Sequence, residues 1–433
     1  MKRKHIFRNI AMAVAMSLIL PFANNFTTVK AEEISINEPE IIGESAITMD
    51  IETGEVIYSK NADLVMAPAS TTKLMTSLLF AENKNRSDVI SYTDTAAKVT
   101  ETSLNNFINA KAGDRISADD LMKSVMIYSA NDTAYLMAES VAGTVDEFVK
   151  MMNERAQALG LKNTTFHNPS GLEIDPLKPS NTDINQTTAF DLAVIAMEAF
   201  KNDWIRETIA PKSGEVSIAL GSQTMILEFR NKLVGKNGNI GGKTGTEEQA
   251  GHCFVGFYER DGRHLVTVVL KSEYGVDGLN VFKDTEKIAN FSYPAEKQVY
   301  KKAGEEIGTV DLTYKTFRFF GPENTITAPL ILNSDVNYYK NTYNDAYSTL
   351  SYTGEEKDAW KLAGEEDLKI TYSSGLYSEE VSASLGLSAF DLIKANLPVY
   401  LLSLLVIVII IVLIVFVIRI FNMRNRRRRR RRY

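Results

Sequence analysis

Cysteine is almost missing from this chain: Cys253 stands alone among 433 residues. One thiol excludes any intramolecular disulfide, so packing and hydrogen bonding must hold the fold. Cys253 falls in an apolar strand, where it reads as a small buried hydrophobe or as a thiol at the edge of a cleft. Histidine is scarce too, and His5, His167, His252 and His264 show no zinc-ligand spacing. Internal repeats are absent, and the one long low-complexity stretch is the arginine run Arg426 to Arg432. A repeat architecture is thereby excluded.

The charge is unevenly placed. The sequence carries 48 basic and 54 acidic residues, a net charge of −6. Five of the basic residues lie within 1–31 and nine from 419 onward, so the part between has 34 against 54, near −20. Such a surface argues against nucleic acid as a partner.

Both ends are apolar with basic flanks. Lys2, Arg3, Lys4 and Arg8 precede the apolar run Ile10 to Phe22, which is short for a membrane span. With Val29-Lys30-Ala31 following, residues 1–31 read as a signal peptide cleaved after Ala31. At the other end, Leu397 to Ile418 offers 22 mostly apolar residues, about 33 Å of helix. Arg419, Arg424 and Arg426 to Arg432 come next. The positive-inside rule then predicts a transmembrane helix over 397–418 and a cytoplasmic arginine-rich tail over 419–433. The tail can also hold anionic membrane lipid. The expected protein is single-pass in the cell membrane, with its folded part extracytoplasmic.

Between these ends, residues 32–290 mix strands with long helices. Ala46 to Asp50 and Glu55 to Tyr58 predict a hairpin turning at Thr53-Gly54. Thr144 with Glu147 makes a capping box for a helix that runs to Ala158 and stops at Gly160. His252 to Glu259 and His264 to Leu270 predict a second hairpin around Asp261-Gly262. Residues 291–390 are rich in Tyr, Thr and Val, with extended runs such as Thr309 to Tyr314 and Thr325 to Leu332. They predict a small β-sandwich. Ser382 to Ala395 reads as an amphipathic stretch leading to the membrane.

Three polar motifs stand out within residues 32–290. In Ser70-Thr71-Thr72-Lys73, positions i and i+3 share a helix face. Pro68 and the later Leu74, Met75, Leu78 and Leu79 predict a helix starting near Ser70. The positive end of that helix favours an oxyanion and a neutral Lys73, so the lysine can take the serine's proton. Ser129-Ala130-Asn131 lies in a break between two apolar segments, after a Ser117–Asp120 capping box. Lys243-Thr244-Gly245 follows a glycine-rich approach and precedes the second hairpin. There Lys243 and Thr244 can receive an anionic group, and Gly245 can let a substrate backbone lie close.

In this order and at these spacings, the three motifs resemble those of penicillin-binding proteins and serine β-lactamases. Phe166-His167-Asn168-Pro169-Ser170-Gly171-Leu172, Thr188 to Leu192 and Ala250 to Cys253 are similar to segments of the low-molecular-weight D-alanyl-D-alanine carboxypeptidases. The resemblance covers roughly residues 40–290. It implies an α/β fold of the α+β type: a penicillin-binding/β-lactamase-like transpeptidase domain with a central antiparallel sheet and a helical cluster, followed by a small all-β domain. It also implies acyl transfer without metal or cofactor. Ser70 would be the nucleophile, Lys73 its base, Ser129 the proton relay and Asn131 the group positioning Lys73 and the substrate amide. The N–H groups of Ser70 and Thr246 would form the oxyanion hole, and Lys243 with Thr244 would hold the terminal carboxylate. The implied partners are peptidoglycan stem peptides ending in D-Ala-D-Ala and β-lactam antibiotics.

Two departures stand out. Glu247 replaces a threonine common two places after the motif glycine, and Gly275 to Phe282 lacks the arginine that relatives often carry beyond the last catalytic strand. They keep open a wall-binding scaffold with little turnover. A serine β-lactamase is the other alternative, although no Glu-x-x-Leu-Asn pattern occurs between Asn131 and Lys243.

Overall fold

The computed structural model describes residues 38–210 and 215–430; the expected signal peptide and the last three residues lie outside them. Five strands, β1 (Ser45–Asp50), β2 (Val56–Lys60), β3 (Asn239–Glu247), β4 (Gly251–Arg260) and β5 (Arg263–Ser272), build one antiparallel sheet. Their spatial order is β2-β1-β5-β4-β3. The β4–β5 turn forms at Asp261 (φ +52°) and Gly262 (φ +78°), where both positive φ values match the twist of a tight hairpin.

The middle strands are buried on both faces, which explains their continuous apolar runs. Helices α1 (Lys73–Asn83), α2 (Asn131–Ala142), α3 (Val145–Ala158) and α4 (Ala189–Lys201) form the cluster on one side, and α5 (Asn280–Ser292) covers the other. Side chains alternate along a strand, so β4 serves both layers. Phe257 stacks on Phe200 of α4 with ring centres 5.0 Å apart, and Phe254 meets Phe282 of α5 edge-on at 5.1 Å. Helix α3 begins where its capping motif predicts: Thr144 Oγ1 accepts from the Glu147 N–H at 3.2 Å.

After α5 the chain forms a second antiparallel sheet from β6 (Glu306–Lys315), β7 (Glu323–Leu332), β8 (Thr349–Ser351), β9 (Leu368–Ser374) and β10 (Tyr377–Leu385). The order is β6-β7-β10-β9-β8, and Leu312, Ala328, Leu330, Ile370 and Ala383 form part of its own core. Its layers are unequal. Only a two-stranded ladder, Gln298–Lys301 with Val336–Tyr338, accompanies the five-stranded sheet. Burial alternates along β7 and β9, so one face of the sheet carries most of the core.

The expected amphipathic stretch divides in two. Ser382 to Leu385 belong to β10, where Val381, Ala383 and Leu385 recur with period two, and only α6 (Ala389–Ala395) is helical. Ser388 and Asp391 cap α6 reciprocally.

The two regions are joined through β2. Asn341 Nδ2 and Asn344 Nδ2 donate to Val56 O at 3.0 and 2.8 Å, Ser59 Oγ bonds Asn341 Oδ1 at 3.0 Å, and Tyr343 stacks on Phe190 of α4 at 4.7 Å. An edge that would otherwise be free to pair with another chain is thus covered. Finally α7 (Leu397–Arg430) extends with its apolar side chains exposed. It is the one helix among the described residues long and apolar enough to cross a membrane.

Candidate active site

Ser70 lies in a 3-10 turn, Ala69–Thr72, and the α-helix proper begins at Lys73. The turn is tight because Ala69 adopts φ +47°, a left-handed conformation costly for a residue with a Cβ. Two glycines clamp it. A Cβ on Gly171 would fall 1.9 Å from Ala69 O, and one on Gly245 would fall 3.0 Å from Ser70 N and from Pro68 O. The bare backbone of Gly245 therefore accommodates the serine turn itself.

Lys73 is completely buried. Its Nζ lies 2.6 Å from Ser70 Oγ, 2.7 Å from Asn131 Oδ1 and 2.7 Å from Ser170 O. Three acceptors match the three donors of an ammonium. Burial nevertheless pulls its pKa down to about 7, opposed by the negative charges of Glu247, Asp132 and Glu101. Near neutral pH a large share of Lys73 is thus an amine, able to accept the Ser70 proton over a distance already within hydrogen-bond reach. Desolvation is the main cause here, in place of the helix end invoked from sequence.

The second motif sits at a distortion. Ala118–Lys123 continues into a single wide helical turn, Ser124–Tyr128, after which Ser129 takes φ +73°. Such insertions recur at functional sites because they redirect one side chain. Ser129 Oγ accepts from Lys243 Nζ at 2.8 Å, and the same Nζ reaches Thr244 O at 2.8 Å. Lys243 is 1% exposed, and burial holds its pKa well below the ordinary lysine range, with Lys73 and Arg230 adding repulsion. Asn131 holds Lys73 with its oxygen while its Nδ2 donates to Glu101 O at 2.8 Å. Thr244 is half-buried and Thr246 exposed on the same strand, where Thr246 pairs with His252. The structure thus gathers Ser70, Lys73 and Asn131 in one hydrogen-bonded set and Ser129 with Lys243 in another, with Gly245 packed on the serine turn.

Several contributors escaped the sequence reading. Ser170 supplies the third acceptor to Lys73, and its loop is built by Asn168, whose Oδ1 takes the Ser170 and Gly171 N–H groups at 3.1 and 2.7 Å. The signal was present in the segment Phe166 to Leu172, but no role was legible there. Asp132, next to Asn131, fixes the Ser103 to Asn106 turn by accepting from Leu104 N at 3.0 Å and Tyr92 Oη at 2.8 Å. Arg230 precedes β3 and stacks over the Tyr128 ring at 4.8 Å. It lines a small cavity together with Thr244.

Beyond Thr246 opens a cavity of about 640 Å³ lined by Glu101, Glu173, Glu247, His252 and Tyr274 among others. Burial, reinforced by Glu101 and Glu173, raises the Glu247 carboxyl to about 7, so it is not a fixed anion at neutral pH. Cys253 is buried, and burial pushes its thiol up to about 12, which settles it as a packing residue.

This geometry has counterparts. Residues 32–273 match the family described as D-alanyl-D-alanine carboxypeptidase. The D-alanyl-D-alanine carboxypeptidase DacF of Bacillus subtilis is 32% identical over 234 residues, 52% of this chain and 56% of that protein. The carboxypeptidase DacC of Escherichia coli is 32% identical over 276 residues, 61% of this chain and 65% of that protein. The chain thus matches between half and two thirds of the length of these relatives. Among solved structures, penicillin-binding protein D2 of Listeria monocytogenes in its ampicillin-bound form superposes with a TM-score of 0.51 at 29% identity, covering 59% of this chain and 100% of that one. With the family match extending over more than half of its length, the chain belongs to the D-alanyl-D-alanine carboxypeptidase family.

Proposed function

We propose that the protein is a serine-type D-Ala-D-Ala carboxypeptidase acting on peptidoglycan stem peptides and acylated by β-lactams. The observation that carries this reading is the buried Lys73 Nζ, 2.6 Å from Ser70 Oγ and held by Asn131 and Ser170. Ser70 Oγ attacks the carbonyl of the penultimate D-alanine, and its proton passes to neutral Lys73. Negative charge on the former carbonyl oxygen is met by the N–H groups of Ser70 and Thr246, a contribution of about 3 kcal/mol per donor in comparable enzymes. Lys73 passes that proton on through the hydroxyl of Ser129, which is bonded to Lys243, to the leaving nitrogen, and D-alanine departs. Water then attacks the acyl-enzyme and restores the Ser70 hydroxyl. Lys243, Thr244 and Arg230 receive the terminal carboxylate, and Asn131 positions Lys73 and the substrate amide.

Residues 32–290 would be the peptidase domain and 291–390 a β-rich domain, in keeping with their separate sheets and cores. Helix α7 would span the membrane over 397–418, placing the arginine tail in the cytoplasm against anionic lipid and the catalytic domain outside.

The test incubates the full chain with a fluorescent penicillin and, separately, with a pentapeptide ending in D-Ala-D-Ala. Labelling and D-alanine release are expected, and both should vanish in Ser70→Ala. Equal labelling of Ser70→Ala would sink the nucleophile assignment. Labelling without D-alanine release would favour the scaffold reading, which Glu247 beside the pocket keeps in view.

A further inference from the structure

The tip of the β6–β7 hairpin is the least soluble-looking surface outside α7. Phe319 is 79% and Phe320 66% exposed, adjacent in sequence and directed away from the core of their own sheet. An exposed aromatic pair is costly in water and marks a contact surface. The tip is built to hold its shape. Arg318 adopts φ +64° and Gly321 φ +100°, the Phe317 and Phe320 rings stack at 5.0 Å, and the Arg318 guanidinium lies over Phe319 at 5.4 Å.

Its position is set by α7. The Phe317 ring packs on Tyr400 at 5.3 Å, the Tyr400 hydroxyl donates to Thr316 O, and Asn396 Nδ2 donates to Tyr314 Oη at 3.0 Å. The hairpin is therefore fastened to the first turn of the apolar helix. From Leu397 to Tyr400 the helix rises only about 5 Å, and the 22 mostly apolar residues to Ile418 span about 33 Å against a hydrocarbon core of ~30 Å. A helix so matched begins at the border of the bilayer, and the tip lies level with that border. Just before it, α6 exposes Phe390 (69%) and Ile393 (42%), one turn apart. Between Asp311 and Glu323, the only charged side chains on the hairpin end are Lys315 and Arg318.

We propose that the β6–β7 tip is a second membrane contact, seating Phe319 and Phe320 in the headgroup zone of an anionic leaflet where α7 enters it. Aromatic rings suit this zone because they pair an apolar body with a polarisable face. One contact of a single helix leaves the body free to rotate about its anchor. A second, on the region joined to β2 through Asn341 and Asn344, fixes the body's tilt and the height of the Ser70 cleft above the lipid. The inference rests on the reading that α7 spans the bilayer.

Both readings are tested in one set of samples. The full chain is reconstituted into vesicles of phosphatidylcholine and phosphatidylglycerol containing lipids brominated either near the headgroup or deep in the acyl chain. Tryptophan fluorescence is compared for Phe319→Trp, Phe320→Trp and the span control Leu405→Trp, after subtraction of the parent signal. Phe319→Trp and Phe320→Trp are expected to be quenched several-fold more by shallow than by deep bromines, and Leu405→Trp more by deep ones. Quenching of Leu405→Trp alone, with the tip variants quenched by aqueous acrylamide instead, overturns the second contact while the anchor stands. Absence of lipid quenching in all three overturns the anchor and the second contact together.

Discussion

The two folded regions use polar groups in opposite ways. In the region that carries the three motifs, two lysines are buried, one wholly and one to 1% exposure, beside a serine forced into left-handed backbone geometry. In the β-rich region the charged side chains stay outside, as in the Lys369–Glu380 pair across β9 and β10, both more than two-thirds exposed. Its unusual feature is apolar and exposed, the Phe319–Phe320 tip. Burying an ammonium is expensive unless its donors are met, so a fold that does this twice within one cleft is organised around those groups. The β-rich region bears no such cost, and its sheet reads as a support between the cleft and α7.

The largest expected effect that tests this contrast comes from Lys73→Met. Loss of the base should slow penicillin acylation by roughly a thousandfold, measured as the rate of fluorescent labelling, with the fold retained by circular dichroism. Lys369→Met should leave both labelling rate and unfolding midpoint unchanged. An equal effect at the two lysines would erase the distinction between the regions.

A second comparison uses glycines of similar conformation. Gly171 (φ +87°) has Ala69 O 1.9 Å from its would-be Cβ, whereas Gly364 (φ +82°) faces open space. Gly364→Ala should cost about 1 kcal/mol from backbone strain alone. Gly171→Ala should cost about 3 kcal/mol or more, because overpacking adds to strain, and it should also slow labelling by displacing Ser170 from Lys73. Denaturant titration distinguishes the two outcomes, and equal costs would show that the serine turn is not clamped.

The smallest effect concerns pH. Acylation should rise as pH passes through about 7, because Lys73 loses its proton there. Glu247, itself titrating near 7, raises the Lys73 pKa when ionised. Glu247→Gln removes that attraction for the proton, so the rising limb should move to lower pH. A limb that stays in place or moves to higher pH would show that Glu247 does not act on Lys73 through charge.

Legibility followed sequence separation. The i, i+3 relation of Ser70 and Lys73, the capping box at Thr144 and the hairpin at Asp261-Gly262 are local, and local rules reached them. Ser170 lies 97 residues from Lys73, and nothing in its own neighbourhood signals a backbone carbonyl aimed at an ammonium. Arg230 was missed for a related reason. It stands in an irregular segment before β3, and only tertiary packing brings it beside Lys243. The unequal layers of the β-rich region were also hidden, since extended runs announce strands without saying how many share a sheet. Ser382 to Leu385 could satisfy a helical or a strand pattern, and pairing with β7 and β9 chose the strand.

The sequence by itself determined the chemistry available: a hydroxyl and an amine one helical turn apart, two further motifs in order, and an apolar helix with a basic end. These follow from residue type, period and spacing, which the chain carries wherever it folds. Only the tertiary structure decided that burial pulls the Lys73 pKa down and pushes that of Glu247 up, both to about 7. Desolvation and charge coupling depend on what packs around a group, and those neighbours come from five separate parts of the chain.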